Sequence, residues 1–185
     1  MVKIHNIDQG TDEWLAQRAG KYTGSNASKL LKHGRTEKAQ AKLESTPKNY
    51  WMQRGTDLEP YAIVAYELVK DLKVERPGFV TNDLYPDCLY SPDGWHDDTL
   101  IEVKCFGEKK HTEVNARKIP NEILAQVHFG MIMCEKKNAT LVMFNPDLDP
   151  KKALKIIKVK RDPRLIKRLV MLMQGESNER SKETE

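Results

Sequence analysis

The hydrophobic positions of the chain recur at helical spacing in several segments. The longest segment covers residues 50–72, where the apolar positions are Leu58, Ala62, Ala65, Tyr66 and Val69. We expect Gly55 and Pro60 to disturb the first half of this helix. Segments that open with cap-forming residues or proline predict further helices over residues 11–18, 23–33, 120–134 and 162–173.

Runs rich in β-branched and aromatic residues alternate with turn-forming residues. They predict strands over residues 74–81, 88–90, 100–105, 140–144 and 156–159. Residues 34–48 are polar and basic and predict a loop that is mobile. The order of these elements predicts one α/β domain over residues 1–174, with a central mixed β-sheet flanked by helices. We expect disorder in the polar tail, residues 175–185.

Composition narrows the class of protein. The chain has 185 residues, of which 39% are hydrophobic and 31% charged, as is usual for a globular domain. No apolar run approaches the ~20 residues of a membrane-spanning helix, and charge interrupts the first residues, which argues against a signal peptide. The three cysteines and five histidines lack the spacing of disulfide frameworks or zinc sites, so we expect a cytoplasmic protein without a His/Cys metal site.

Charge is distributed unevenly along the chain. The net charge is only +4, but residues 55–103 carry 3 basic and 11 acidic side chains, whereas residues 151–175 carry 9 basic and 1 acidic. An acidic middle between basic arms suits a cation site beside a polyanion track. Taken alone, such blocks are more often solvated faces. The lysines Lys151, Lys152 and Lys155 therefore either contact duplex DNA or face solvent.

The segment from Ser91 to Cys105 carries the clearest candidate chemistry. Asp93 lies in a Pro-Asp-Gly turn, and Glu102 and Lys104 lie two residues apart on a strand, so their side chains share one face. Hairpin pairing brings Asp93 next to Glu102. With the backbone carbonyl of Val103, the two carboxylates form an oxygen-rich site suited to Mg²⁺. An isolated Glu-x-Lys is more often a surface ion pair, so the assignment depends on what else joins the site.

Two further polar residues lie beside apolar helical positions. Glu59 and Gln126 are each either solvated or directed into a polar site, and their local sequence does not decide between these alternatives.

Taken together, the motifs resemble a known family. Pro92-Asp93 with Glu102-Val103-Lys104 is similar to the PD-(D/E)XK nuclease motif. The neighbouring blocks resemble those of the lambda-type phage exonucleases, also described as YqaJ-like viral recombinase nucleases. These blocks are Trp14-x₃-Arg18-x-Gly20-x₂-Thr23-x-Ser25, Arg54-Gly55-x₃-Glu59, Ala125-Gln126-Val127 and Asn145-Pro146-Asp147. The resemblance extends from Trp14 to the final helix and implies the PD-(D/E)XK nuclease fold.

The resemblance implies a role for each matched residue. Asp93, Glu102 and the Val103 carbonyl hold Mg²⁺, for which we expect Mn²⁺ to substitute, and Lys104 assists the attacking water. Glu59 approaches the metal directly or through water, and Gln126 positions the water or a carboxylate.

A second group of residues is implied to bind DNA. Arg18 and Ser25 hold a 5′-terminal phosphate, and Arg35 touches DNA. Trp14 and Arg18 share a helix face, with Trp14 expected in the core, and the helix that begins near residues 23–25 adds N–H groups that favour an anion. The alternative is that Arg18 only caps its own helix.

The activity implied is a Mg²⁺-dependent 5′-to-3′ exodeoxyribonuclease. Such an enzyme degrades one strand of linear duplex DNA and leaves a 3′ single strand for phage-type recombination. The resemblance also implies a ring-shaped homotrimer, a single-strand annealing protein as a partner, and a phage or prophage protein acting in the cytoplasm of a bacterial host. The alternatives are a structure- or site-specific endonuclease of the same superfamily and a non-catalytic DNA-binding protein of nuclease descent.

Overall fold

The computed structural model of the protein describes residues 1–41 and 49–175. The strands are β1 (Val2–His5), β2 (Tyr22–Thr23), β3 (Phe79–Asn82), β4 (Cys88–Leu89), β5 (Gly94–His96), β6 (Thr99–Lys104), β7 (Asn138–Phe144) and β8 (Leu154–Lys158). The helices are α1 (Asp12–Arg18), α2 (Ala27–His33), α3 (Tyr50–Lys70), α4 (Glu108–Glu113), α5 (Asn121–Met133), α6 (Pro150–Ala153) and α7 (Pro163–Gln174).

A four-stranded mixed sheet with the order β5-β6-β7-β8 forms the centre of the fold. The β5/β6 and β7/β8 pairs are antiparallel, whereas β6 and β7 run parallel. Parallel neighbours need a crossover, and α4 and α5 supply it between β6 and β7. The mixed α/β architecture confirms the fold class predicted from the sequence.

Alternation along β6 divides the core between the two faces of the sheet. Ile101 and Val103 pack in a cluster with Ala62, Ile63 and Tyr66 of α3. Leu100, on the opposite face, belongs to the larger cluster that includes buried residues of α2, α5 and α7. Glu102 therefore projects from the same face as Leu100, towards α5.

The helix predictions are largely confirmed. Thr11 and Asp162 cap α1 and α7 as their sequence position indicates. The helix α3 continues through Pro60 without a break, contrary to the expected disturbance. The predicted helix over residues 23–33 starts later, because residues 22–23 form β2 and residues 24–26 a 3₁₀ turn before α2. Sequence analysis missed α4 and α6, which have six and four residues and no resolvable period.

The predicted strand over residues 74–81 is shorter in the structure. Pro77 has no N–H to donate, and Gly78 lies so close to the N-terminal segment that a Cβ there would be 2.2 Å from the Ile7 carbonyl oxygen. Only Phe79–Asn82 forms a regular strand, and it pairs antiparallel with β1, which was not predicted. The four residues of β1 are mostly exposed and give almost no hydrophobic pattern.

Part of two predictions lies outside the described residues. The predicted mobile loop includes residues 42–48 and the predicted disordered tail includes residues 176–185. Within the described part of that loop, residues 37–39 form a 3₁₀ turn and Gln40 makes an antiparallel bridge with Tyr22. Among the described helices, none has the length and apolarity needed to cross a membrane.

Candidate active site

The β5/β6 hairpin places the two predicted carboxylates side by side. The register pairs Gly94 with Ile101, so the preceding residue, Asp93, lies opposite Glu102. Asp93 Oδ2 accepts a hydrogen bond of 2.6 Å from the Val103 backbone N–H. This contact fixes the carboxylate immediately before the first residue of β5 and leaves Oδ1 without a hydrogen-bond partner among the described residues.

Glu102 is held by two donors. It is only 1% exposed; its Oε1 accepts from Lys104 Nζ at 2.5 Å and its Oε2 accepts from the Tyr90 hydroxyl at 2.8 Å. The Glu102–Lys104 contact follows from the shared strand face that the sequence predicted. A buried carboxylate that is paired and hydrogen-bonded avoids most of the penalty for its burial.

Tyr90 is a positioning residue that sequence reasoning missed. Its ring lies between two glycines: a Cβ added to Gly24 or to Gly130 would lie 2.4 Å from the ring. These close approaches fix the hydroxyl next to Glu102. In the sequence, Tyr90 is indistinguishable from an ordinary core aromatic residue.

The site crowds three acids around the ammonium group of Lys104, and Arg76 pairs with one of them, Glu59. Burial, together with the charges of Glu102 and Glu59, raises the pKa of Asp93 well above its usual range. Burial opposes the charged form of Lys104, but the nearby Glu102 and Asp93 outweigh it and raise the pKa of the ammonium group. Ionisation of all the acids of the site would leave an excess of negative charge, which a bound cation would neutralise.

Two clefts meet at the carboxylates. The first cleft, of about 680 Å³, is bordered by Asn6–Gly10, Trp14, Pro92 and Arg76–Gly78. The second cleft, of about 760 Å³, contains Glu102, Lys104 and Gln126 and extends to Trp51 and Phe106–Lys110. Thr56, Glu59 and Asp93 border both clefts. The structure thus brings all five predicted catalytic residues to one place.

Glu59 is held at this junction by a residue absent from the sequence prediction. Its Oε1 accepts from Arg76 Nη2 at 2.6 Å. Burial raises the pKa of Glu59 and Arg76 opposes that rise. Gln126 is half-buried on α5 and reaches the second cleft from the other side of the sheet.

The residues present fit Mg²⁺. Within the described residues, no three acidic, histidine or cysteine side chains are grouped to hold a metal by themselves. Asp93 and Glu102 with the Val103 carbonyl offer only oxygen donors, and Mg²⁺ commonly keeps several waters and takes only one or two carboxylates. The free Oδ1 of Asp93 and the excess of acid charge support this fit.

Arg18 and Ser25 are also brought together, with Ser91 as a third member. Arg18 donates to Ser25 Oγ at 3.2 Å and to Ser91 Oγ at 3.4 Å, and its guanidinium lies 4.1 Å from the centre of the Trp14 ring. Burial lowers the pKa of Arg18 to about 10, which still leaves it charged at neutral pH. Among the described residues Arg18 has no carboxylate partner, so its charge is available to an anion.

Some details of the expected phosphate pocket are wrong. Trp14 is half-buried at the rim of the first cleft and is not a core residue, because α1 buries no residue. Its indole N–H donates to Ser91 Oγ at 3.0 Å instead. Ser25 lies in the 3₁₀ turn, and α2 begins only at Ala27. The pocket therefore consists of side chains rather than of a helix N-terminus.

Two basic residues that were DNA candidates have partners inside the chain. Arg35 donates to the Met173 carbonyl oxygen at 2.9 Å, pairs with Asp87 and lies 4.9 Å from the centre of the Tyr22 ring. Lys155 donates to the carbonyl oxygens of His111 and Thr112 at 2.5 and 3.2 Å, at the end of α4. Both side chains satisfy helix carbonyls, and neither borders the two clefts.

Comparisons with known proteins identify a family and related structures for this chain. The sequence matches the YqaJ-like viral recombinase domain over residues 13–137. The structure is similar to that of an alkaline exonuclease (LHK-Exo) from Laribacter hongkongensis, with 26% identity, a TM-score of 0.77 and 90% of each chain covered. The complex of LHK-Exo with dAMP gives a TM-score of 0.78 at the same identity and coverage.

A more distant structure shares the fold. A phage related exonuclease from Haemophilus somnus 129PT has 12% identity and a TM-score of 0.60, with 88% of this chain and 95% of that chain covered. Among curated protein sequences no match was found. The family match spans most of the chain and includes every residue of the carboxylate site, and the chain belongs to the YqaJ-like viral recombinase domain family.

Proposed function

We propose that the protein is a Mg²⁺-dependent exodeoxyribonuclease that degrades one strand of linear duplex DNA from its 5′ end. The product would be a 3′ single strand for phage-type recombination. The observation that carries this proposal is the charged, carboxylate-free Arg18 bound to Ser91, two residues from Asp93. Family membership and the similarity to an alkaline exonuclease support nuclease chemistry.

The short distance between the Arg18 pocket and the carboxylates suits removal of a terminal nucleotide. Residues 91 and 93 lie within about 7 Å of each other along the backbone, since each residue spans at most ~3.6 Å. A phosphate held by Arg18, Ser25 and Ser91 is therefore of the order of one nucleotide from the carboxylates. Arg18 can bind two oxygens of a terminal phosphate at once. An enzyme that cuts within a strand has no use for such an end pocket.

The residues of the site have different roles in hydrolysis. Asp93, Glu102 and the Val103 carbonyl would hold Mg²⁺, which when bound supplies polarisation of the phosphoryl oxygen and a more acidic water. Lys104 orients the attacking water and neutralises developing charge from its place beside Glu102. Tyr90 fixes Glu102, and Glu59 and Gln126 complete the cleft around the water.

End-labelled linear duplex and circular duplex DNA test the proposal, each with and without Mg²⁺. We expect release of nucleotides from the 5′ end of the linear DNA, only with Mg²⁺, and no cutting of the circle. Cutting of the circle would support the endonuclease alternative. Binding without hydrolysis of either DNA would support the non-catalytic alternative.

Other properties remain predictions from the family resemblance. They are substitution of Mn²⁺ for Mg²⁺, a ring-shaped homotrimer and partnership with a single-strand annealing protein. Mass measurement in solution and pull-down with a purified annealing protein test the last two.

A further inference from the structure

One wall of the second cleft has no part in the catalytic roles described above. Trp51, in the first turn of α3, exposes 58% of its surface although it is a large aromatic residue. Phe106 borders the same cleft, and the lysines of α4, Lys109 and Lys110, are exposed beside it. This aromatic wall, defined as Trp51, Phe106, Lys109 and Lys110, is continuous with Lys104 through Cys105.

The structure holds the Trp51 indole in a defined position. One side of the ring lies against Gly107, where an added Cβ would approach the ring carbons to 2.9 Å. Tyr50 contacts it edge-on, with ring centres 5.2 Å apart. On the same wall, the Lys110 ammonium lies 4.2 Å from the centre of the Phe106 ring. The indole is thus supported by backbone while most of its surface remains in solvent.

An exposed, supported aromatic ring next to lysines matches the chemistry of single-strand recognition. Bases stack on aromatic faces and lysines follow the phosphates, which gives binding without sequence preference. A large exposed indole is otherwise unfavourable on a protein surface, because it leaves apolar area in water. The position of this wall beside the carboxylates gives it access to the strand being cut.

The Arg18 pocket sets the direction of that strand. Trp14 contacts the Arg18 guanidinium and also borders the first cleft, so the end pocket lies on the first-cleft side of the carboxylates. A strand that starts at Arg18 and passes Asp93 continues into the second cleft. We propose that Trp51 stacks against the base of the second nucleotide, on the 3′ side of the scissile phosphate, and that Lys109 and Lys110 contact the phosphates that follow. The proposal rests on the exonuclease function proposed above.

A double-mutant cycle that combines a substitution in the protein with a modification of the DNA tests the stacking directly. The probe is a duplex with a 5′-phosphate and a fluorophore at the far end, with the second nucleotide either intact or abasic, and binding is measured by anisotropy in the presence of a chelator. Trp51→Ala should weaken binding of intact DNA by about 5- to 150-fold. The abasic site should weaken binding of the unaltered protein similarly, and the two changes together should cost no more than either alone.

Matched variants make the result specific. Tyr61 is 65% exposed on the same helix and borders neither cleft, so Tyr61→Ala should bind like the unaltered protein and keep full sensitivity to the abasic site. Trp51→Phe should retain part of the affinity, and thermal unfolding should show that both Trp51 variants are folded. Independent, additive losses would overturn the contact. Coupling to the first nucleotide in place of the second would overturn the direction.

The cycle needs no hydrolysis, so it is separable from the nuclease proposal. Coupling without any nuclease activity would leave the stacking site standing and overturn the catalytic function. Nuclease activity without coupling would overturn the stacking site and leave the catalytic function standing.

Discussion

The side chain of Asp93 is partly buried next to two other acids. Its ionisation is therefore unfavourable in the folded protein, and a bound metal would remove that penalty. Burial and the charges of Glu102 and Glu59 raise the pKa of Asp93, so the folded protein without metal favours its protonated form. A raised pKa means that stability present at low pH is lost as the pH rises through the folded-state pKa. Asp93 should therefore lower the free energy of unfolding of the metal-free protein at neutral pH.

We expect Asp93→Asn to raise the midpoint of thermal unfolding at pH 8 in the presence of a chelator, while abolishing hydrolysis. The gain should shrink as the pH falls towards the ordinary aspartate pKa, about 3.9, where the wild-type carboxyl is protonated in both states. Asp98→Asn is the control, because the Lys137 backbone N–H lowers the pKa of Asp98 and predicts no gain. A less stable Asp93→Asn variant at pH 8 would contradict this account.

Lys104 is expected to act as a compact ammonium group rather than as a general positive charge. Lys104→Ala should reduce turnover by about 10²- to 10³-fold, as for other groups that stabilise a developing charge. Lys104→Arg should not restore it, because the wide guanidinium does not fit between Glu102 and the water it orients. Single-turnover rates at saturating Mg²⁺ measure this. Near-normal rates for the arginine variant would leave Lys104 with only a charge-balancing role.

Arg18 should determine preference for a phosphorylated end. Wild-type protein should digest a 5′-phosphate duplex faster than a 5′-hydroxyl duplex, and Arg18→Ala should remove most of that difference. Because the pKa of Arg18 is lowered only to about 10, the preference should persist across neutral pH. The control is Arg164→Ala, an exposed arginine on α7. Equal rates on both ends in the wild type would remove the main argument for an exonuclease.

At the scale of elements, the position of α3 depends on one arginine near its start. Arg54 donates to the Cys105 carbonyl oxygen at 3.3 Å and to Asn145 Oδ1 at 2.8 Å, and it pairs with Asp147 at 2.5 Å. These contacts tie α3 to the end of β6 and to the turn after β7. The Arg54-Gly-x₃-Glu59 motif therefore joins a positioning arginine to a site carboxylate on one helix.

We expect Arg54→Met to destabilise the protein by about 1–3 kcal/mol, because the Arg54 side chain is only 10% exposed and the Cys105 carbonyl oxygen and Asn145 Oδ1 would each lose a donor. Turnover should also fall, since Glu59 lies further along the same helix. Urea unfolding and rate measurements check the two effects. Gln53→Ala changes an exposed neighbour and should alter neither. Unchanged stability of Arg54→Met would mean that α3 is held by its apolar face alone.

The element boundaries show where local pattern is a sufficient guide. The helices α3, α5 and α7 have 21, 13 and 12 residues, long enough for the period of apolar positions to be resolved. The strands β1 and β2 have four and two residues, and their existence depends on pairing with β3 and β4. Pairing between residues some 70 positions apart leaves little trace in a local pattern.

At the scale of the whole molecule, α6 extends the basic surface that begins at the second cleft. The Lys152 carbonyl oxygen lies 3.0 Å from His111 Nε2, so α6 lies next to α4, which carries Lys109 and Lys110. Lys151 and Lys152 are exposed, whereas Lys155 is engaged by α4. Of the three lysines considered as DNA contacts, the structure leaves two available.

Replacing Lys151 and Lys152 by alanine should reduce the slope of log affinity against log salt concentration by up to about 1.8, if each contacts one phosphate. Anisotropy titrations between about 50 and 200 mM salt measure the slope. Lys73→Ala is the control, because Lys73 is 91% exposed and pairs with Glu67. An unchanged slope would place α6 on a solvated face.

The sequence by itself determined the mixed α/β class, the main helices, the family, and the grouping of Asp93, Glu102 and Lys104, whereas β5 and the strand order of the sheet appeared only in the structure. All three residues lie within one hairpin, where strand alternation and pairing register fix neighbours over short distances. Only the tertiary structure decided that Tyr90 holds Glu102, that Arg76 holds Glu59 and that Ser91 joins Arg18. It also decided that Arg35 and Lys155 donate hydrogen bonds to helix carbonyl oxygens. A buried polar group must find a partner, and in three dimensions that partner comes from whichever element packs against it, however distant in the chain.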